Sequence, residues 1–202
     1  MKLVRILIGV RIVFRGTDLP IWFTQGGAVL WVLGGLSVIS LAAIIFVGVA
    51  QAKSRLRADA PQGPDAPSFL GRLADAFART RQGGASVESA AASAVSAASL
   101  ELNRLRNGMR VLELIAAAAP LLGLLGTVLG MVEAFQQLEQ AGSQVDPSLL
   151  SGGIWKALLT TAAGLIVALP ALTAWHMFDR RLETARVDGA AFITELATKA
   201  SA

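Results

Sequence analysis

Three stretches of this chain contain no aspartate, glutamate, lysine or arginine and are each long enough to cross a membrane. They are 19–52 (most apolar over about 29–49), 114–132 and 157–178. Each meets the requirement of roughly 20 apolar residues for a helix that spans a bilayer core. The pattern predicts an all-α integral membrane protein with three transmembrane helices. Buried helices of a soluble protein are the alternative, which the length of the stretches disfavours.

Between the first two stretches the spacing of apolar residues becomes that of amphipathic helices. The proline-rich segment 58–68 predicts a linker, and the apolar residues that follow predict a short helix ended by Gly83-Gly84. That helix would bury Phe69, Leu70, Leu73 and Phe77. A second apolar seam continues into the next span without a strong helix breaker and predicts one long helix that enters the membrane near Val111. The seam consists of Val87, Ala91, Val95, Ala98, Leu102, Leu105, Met109 and Leu112.

The third span also continues as a helix beyond its apolar part. Its extension carries an apolar face of Leu182, Ala185, Gly189, Phe192 and Leu196. At about 1.5 Å per residue, both long helices project tens of ångströms beyond the bilayer. Their alanine-rich seams fit packing within one subunit or a helical barrel of several subunits, and the pattern leaves both open. Asp146-Pro147 predicts a helix start, and Gly152-Gly153 a tight turn before the third span.

Basic residues set the predicted topology. Most lysines and arginines lie in the 53–110 loop and the 179–202 tail, while the 133–155 connector has none. The positive-inside rule places loop and tail in the cytoplasm and the N-terminus in the periplasm. The first residues are apolar but interrupted by arginines, including Arg11, which argues against a secretory signal. We predict a segment on the membrane surface there, with a short fourth span as the alternative.

These observations predict seven segments. They are an interfacial segment 1–18, a first span 19–52, a cytoplasmic helical region with linker 53–110, a second span 111–136, a periplasmic connector 137–153, a third span 154–178 and a cytoplasmic tail 179–202.

Composition narrows the chemistry. Hydrophobic residues make up 54% of the 202 residues and charged residues 16%, a balance typical of membrane proteins. There is no cysteine and a single histidine, His176, so neither a disulfide framework nor a multi-histidine metal site is predicted. The net charge of +4 is explained by topology rather than by nucleic-acid binding. No nucleophile–base pair, phosphate loop or metal-ligand spacing is found, so we expect neither catalysis nor a cofactor.

A stripe of small residues bearing a threonine runs along each of the last two spans. On a helical wheel Thr127 shares a face with Pro120, Gly123 and Gly130, and Thr161 shares one with Ala157, Gly164 and Ala168. Such stripes line helix–helix contacts in membranes, and a threonine hydroxyl can bond a carbonyl of its own helix. The alternative is that the threonines line a watery path. Neither face carries a carboxylate at mid-depth, so a proton path would need an acid from another chain.

The same segments resemble the MotA/TolQ/ExbB proton-channel family. Residues 119–128 (APLLGLLGTV) are similar to its second-span signature, and 153–165 (GIWKALLTTAAGL) with 168–171 (ALPA) to its third-span signature. Gly26-Gly27, Trp31 and 36–38 (LSV) resemble the start of its first span. Three spans favour the ExbB/TolQ branch, because the flagellar branch has four.

The resemblance implies a subunit of a bacterial inner-membrane proton channel or motor that drives work at the outer membrane, in TonB-dependent transport or a Tol–Pal type system. It implies a homopentamer around a central pore that holds ExbD- or TolR-like single spans, each bearing an aspartate, with a TonB- or TolA-like protein as a further partner. The pore threonines map to Thr127 and Thr161.

Lys156 departs from the family signature, which usually has glutamate there. A lysine at this end of the span fits an interfacial anchor. Alternatively, Lys156 changes the charge at the outer mouth of the channel and pairs with a carboxylate such as Asp146 or one on a partner. The departure, together with the missing acid, supports a second hypothesis: a non-conducting scaffold that clusters partner helices. A solute transporter ranks below both, because no internal repeat is found.

Overall fold

The computed structural model describes residues 27–54, 56, 68–141 and 147–201. They form four helices, named here α1 (Gly27–Ser54), α2 (Phe69–Gln82), α3 (Val87–Ala141) and α4 (Pro147–Ser201). Helices α1, α3 and α4 are long and apolar enough to cross a membrane. The predicted fold class is therefore confirmed, with the second and third spans continuing as long helices. The interfacial segment 1–18 and most of the predicted linker lie outside the described residues.

Helix α2 is the short amphipathic helix that the sequence predicts. It begins after Ser68, whose hydroxyl accepts a hydrogen bond from the Gly71 N–H at 3.0 Å. This is the usual N-cap arrangement. It ends at Gly83-Gly84, where Gly84 has a φ of 80°, a left-handed conformation that favours glycine. All four residues of its predicted apolar face are buried: Phe69, Leu70, Leu73 and Phe77.

The chain divides into two compact units, and the larger comprises 35–120 and 165–202. Its core brings α2 together with the extensions of α3 and α4, around Phe69, Leu73, Met109, Leu112 and Phe178. A Cβ atom at Gly189 would lie 3.0 Å from the Phe69 ring, so the glycine lets α2 lie close against α4. The long helices thus pack within one subunit. The face predicted on α4 is buried or partly buried throughout.

The seam predicted on α3 is wrong at one position. Val95 is 52% exposed, whereas Ala90 and Ala94 are completely buried. The contact of α3 in this stretch is centred on alanines because a small side chain allows a neighbouring helix to approach closely. The predicted seam passes through Ala91 and Val95, whereas the fully buried alanines of this stretch lie one position earlier in each case. Further along α3, Met109 and Leu112 are buried as predicted.

Ion pairs join the helices of the larger unit. The Arg72 guanidinium forms a two-point contact with the Glu101 carboxylate and also donates to the Ser54 carbonyl at 3.1 Å. Arg106 pairs with Asp179 at 3.2 Å. Solvent-accessible pairs typically contribute up to about 1 kcal/mol each, and Arg72–Glu101 is only partly buried, so the apolar core dominates the stability of this unit.

Gln51 is a polar residue buried in this core at 4% exposure. Its amide nitrogen donates to the Phe178 carbonyl at 3.2 Å and weakly to the Met109 sulfur at 3.8 Å, while its Oε1 has no hydrogen-bond partner among the described residues. An unsatisfied buried polar atom costs about 1–3 kcal/mol, whereas a typical hydrogen bond contributes about 1. The Phe178 carbonyl lies inside α4, where helical geometry also gives it a backbone partner.

Replacing Gln51 by leucine should therefore raise the stability of the subunit, by about 1 kcal/mol, because the unsatisfied oxygen disappears. The midpoint of thermal unfolding in detergent measures this change. Gln51→Glu, of nearly the same size, should lower the midpoint because it buries a charge. A lower midpoint for Gln51→Leu would contradict the prediction.

Candidate pore face and outer charge pair

The described residues of the second compact unit are 27–34, 121–141 and 147–164. In it α3 and α4 run antiparallel with their backbones very close together. A Cβ atom at Gly123 would lie 2.9 Å from the Thr160 carbonyl oxygen, and one at Gly130 would lie 3.4 Å from the Ala157 nitrogen. At Gly123 a larger residue would push the helices apart, whereas at Gly130 a Cβ atom would make an ordinary van der Waals contact. This is the use of small residues that is typical of membrane helices.

Thr160 lies at the centre of this contact. It is 1% exposed, and its hydroxyl donates to the Ala157 carbonyl of its own helix at 2.7 Å. A Cβ atom at Gly126 would come within 2.6 Å of the Thr160 side chain. The sequence pattern predicts no role for Thr160 of its own. Its position next to Thr161 could have indicated a different environment, since adjacent residues of a helix are turned by about 100° and lie on different faces.

Thr127 and Thr161, the predicted pore threonines, are both partly exposed. The Thr127 hydroxyl donates to the Leu124 carbonyl at 2.6 Å, and the Thr161 hydroxyl donates across to the Gly123 carbonyl at 3.5 Å. A hydroxyl has one donor and two acceptor lone pairs. Each threonine can therefore accept a hydrogen bond from water or from a protonated carboxyl group, although it cannot titrate.

The other residues predicted to support a pore face fall into two groups. Gly123, Gly130, Ala157 and Gly164 are buried and belong to the contact between α3 and α4 in this unit. Pro120, partly buried, and Ala168, buried, belong to the larger unit. The structure thus gives the first group a packing role within one subunit. That these residues line a pore stays a prediction.

The predicted tight turn at Gly152-Gly153 is wrong. Helix α4 already begins at Pro147, so both glycines lie inside it, and α3 extends to Ala141. A Cβ atom at Gly153 would clash with the Ala134 side chain at 2.2 Å. Gly153 therefore serves close helix packing rather than chain reversal. Asp146, the predicted capping residue, lies outside the described residues.

Lys156 forms an ion pair with Glu133 of α3. The lysine side chain is 26% exposed and the glutamate side chain 51%. This carboxylate was not among those expected to pair with Lys156. The pairing follows from the antiparallel packing, because residues with higher numbers on α3 face residues with lower numbers on α4. Since Gly130 meets Ala157, Glu133 comes close to Lys156, but the sequence did not reveal which residues meet.

These features define a class of protein: a multi-span helical membrane protein whose last two spans pack through glycines and carry partly exposed threonines. The chain belongs to the MotA/TolQ/ExbB proton channel family, whose model matches residues 65–188. Its relatives carry ExbB and TolQ names, which confirms the predicted ExbB/TolQ-like branch. The family is a channel family rather than an enzyme family.

Three relatives illustrate the similarity. The chain is 44% identical over 70 residues to biopolymer transport protein exbB1 of Vibrio cholerae, covering 35% of this chain and 31% of the relative. It is 36% identical over 98 residues to Tol-Pal system protein TolQ of Haemophilus influenzae, covering 48% and 42%. It is 42% identical over 79 residues to biopolymer transport protein ExbB of Neisseria gonorrhoeae, covering 39% and 36%. The matches thus span less than half the length of these relatives.

Proposed function

We propose that this chain is a subunit of an ExbB/TolQ-like proton channel in a bacterial inner membrane, coupling the proton motive force to work at the outer membrane. The observation that carries the proposal is the pair of partly exposed threonines, Thr127 and Thr161, beside the glycine contact of α3 and α4. Both hydroxyls donate to backbone carbonyls and keep lone pairs for an incoming donor. Membership in a proton channel family supports this function.

The acid for proton transfer comes from a second protein in this proposal. Threonine does not titrate, and the charge-free segments 114–132 and 157–178 contain no carboxylate. The partner is a single-span protein of the ExbD or TolR type with an aspartate in its span. Several copies of this chain, five by family resemblance, surround it, and a TonB- or TolA-like protein carries the work outward. The basic loop and tail face the cytoplasm and the N-terminus faces the periplasm.

A non-conducting scaffold is the second candidate, and hydrogen bonding within the subunit favours it. Thr127 and Thr160 both donate to carbonyls of their own helices, so neither needs water or a partner to satisfy its donor. In this alternative the glycine contacts hold α3 and α4 together, and the protein merely clusters the spans of its partner.

Reconstitution separates the two functions. The full chain and its single-span partner are placed in liposomes that contain a pH-sensitive dye, and a potential is imposed with potassium and valinomycin. If the chain is a channel subunit, the dye reports acidification of the liposome interior only when both proteins are present. If the chain is a scaffold, the interior acidifies no faster than in liposomes that hold either protein alone. That result would exclude the proposed function.

A further inference from the structure

The Lys156–Glu133 pair lies close to the threonines along the helix axes. Glu133 is six residues beyond Thr127 and Lys156 is five residues before Thr161. At 1.5 Å per residue the separations along the axis are about 9 Å and 7.5 Å, and the through-space distances are longer because the charged residues are turned by about 120° and 140° from the threonines. Because α3 and α4 are antiparallel, both charged residues lie on the same side of the threonines, toward the connector.

A single charge at this distance would strongly affect a cation at the level of the threonines. Two unit charges about 8 Å apart at an effective dielectric constant of about 20 would change the occupancy of a cation site about 30-fold, which is an upper limit here because about 8 Å is the shortest possible separation. Lys156 alone would lower the occupancy by a proton or other cation by up to this factor. The adjacent carboxylate cancels most of that field, because the two opposite charges lie almost equally far from the threonines.

We infer that Glu133 sets the rate at which cations reach the threonines, because it neutralises Lys156 and so keeps the approach from the connector side open to them. The inference rests on the proposed function. It also accounts for the departure from the family signature: the carboxylate expected at position 156 is supplied from position 133 of the neighbouring helix. Glu133 acts through the charge on Lys156, so its contribution is electrostatic rather than chemical.

The test compares proton flux of four forms of the chain, each reconstituted with the single-span partner. Glu133→Gln leaves Lys156 unpaired and should lower flux by about 10- to 30-fold. The double variant Glu133→Gln with Lys156→Gln removes both charges and should return flux to within about threefold of the wild type. Glu139→Gln, the same change six residues further along α3, is the matched control and should alter flux less than about twofold in a water-like dielectric.

Ionic strength provides a readout that a purely structural role would not affect. The Debye length falls from about 30 Å at 0.01 M salt to about 3 Å at 1 M. The defect of Glu133→Gln should therefore shrink at high salt. Oligomer size and unfolding temperature should match the wild type, since the Glu133 side chain is half exposed.

Two results would overturn the inference: wild-type flux in Glu133→Gln, or a double variant that stays as low as Glu133→Gln. Loss of the oligomer in Glu133→Gln would likewise assign the residue a structural role. Absence of partner-dependent flux in the wild type is a different result. It would overturn the proposed function, and with it the inference.

Discussion

Replacing Thr127 or Thr161 by valine should reduce partner-dependent proton flux to less than about a tenth of wild type while the oligomer stays assembled. Valine has nearly the same shape but lacks the lone pairs that would accept a hydrogen bond from water or a protonated carboxyl group. The structural cost should be small, about 0.5–1.5 kcal/mol, because each hydroxyl makes one bond to a backbone carbonyl. The rate of acidification inside reconstituted liposomes, reported by the dye, measures the flux, and size-exclusion chromatography measures the assembly.

Thr173→Val is the matched control for this pair. Thr173 lies on α4, is exposed, and donates to the Leu169 carbonyl at 2.8 Å, the same kind of intrahelical bond that Thr127 makes. Its substitution should leave flux unchanged, which separates the position of the hydroxyl from the chemistry of the substitution. Full activity in both Thr127→Val and Thr161→Val would refute the proposed role of the threonines.

The sequence predicted those features that depend on local patterns. The membrane-spanning stretches follow from length and the absence of charge. The helix 69–82 follows from the spacing of its four apolar residues and the glycines after it. The continuity of α3 from Val87 into the span follows from the lack of a strong breaker in that stretch, and the helix also continues through Pro120.

Features that depend on the register between helices could not be predicted in the same way. Glu133 and Lys156 are far apart in sequence, and their contact requires knowing which glycine of α3 meets which residue of α4. The phase error at Val95 has a related cause, since the closest helix approach selects small residues rather than the most hydrophobic ones. The burial of Thr160 against Gly126, with Thr161 left partly exposed, is likewise set by the neighbouring helix.

The contact between Gly126 and Thr160 is a sensitive point of this register. A Cβ atom at Gly126 would lie 2.6 Å from both the Cβ and the Oγ1 of Thr160, closer than real side chains approach. The Thr160 Cβ is fixed to its backbone and cannot rotate away, so the two helices would have to separate. Separation would also weaken the neighbouring contacts of Gly123 and Gly130.

Gly126→Ala should therefore destabilise the subunit by about 1–3 kcal/mol, the usual cost of overpacking. For a chain of this size that corresponds to about 2–4 °C in unfolding temperature per kcal/mol. Gly152→Ala is the control within α4, since a Cβ atom there meets nothing within 4 Å among the described residues. Alanine is the better helix former by about 1 kcal/mol, so this control should be neutral or stabilising. Equal unfolding temperatures for the two variants would show that the close approach at Gly126 does not hold α3 and α4 in register.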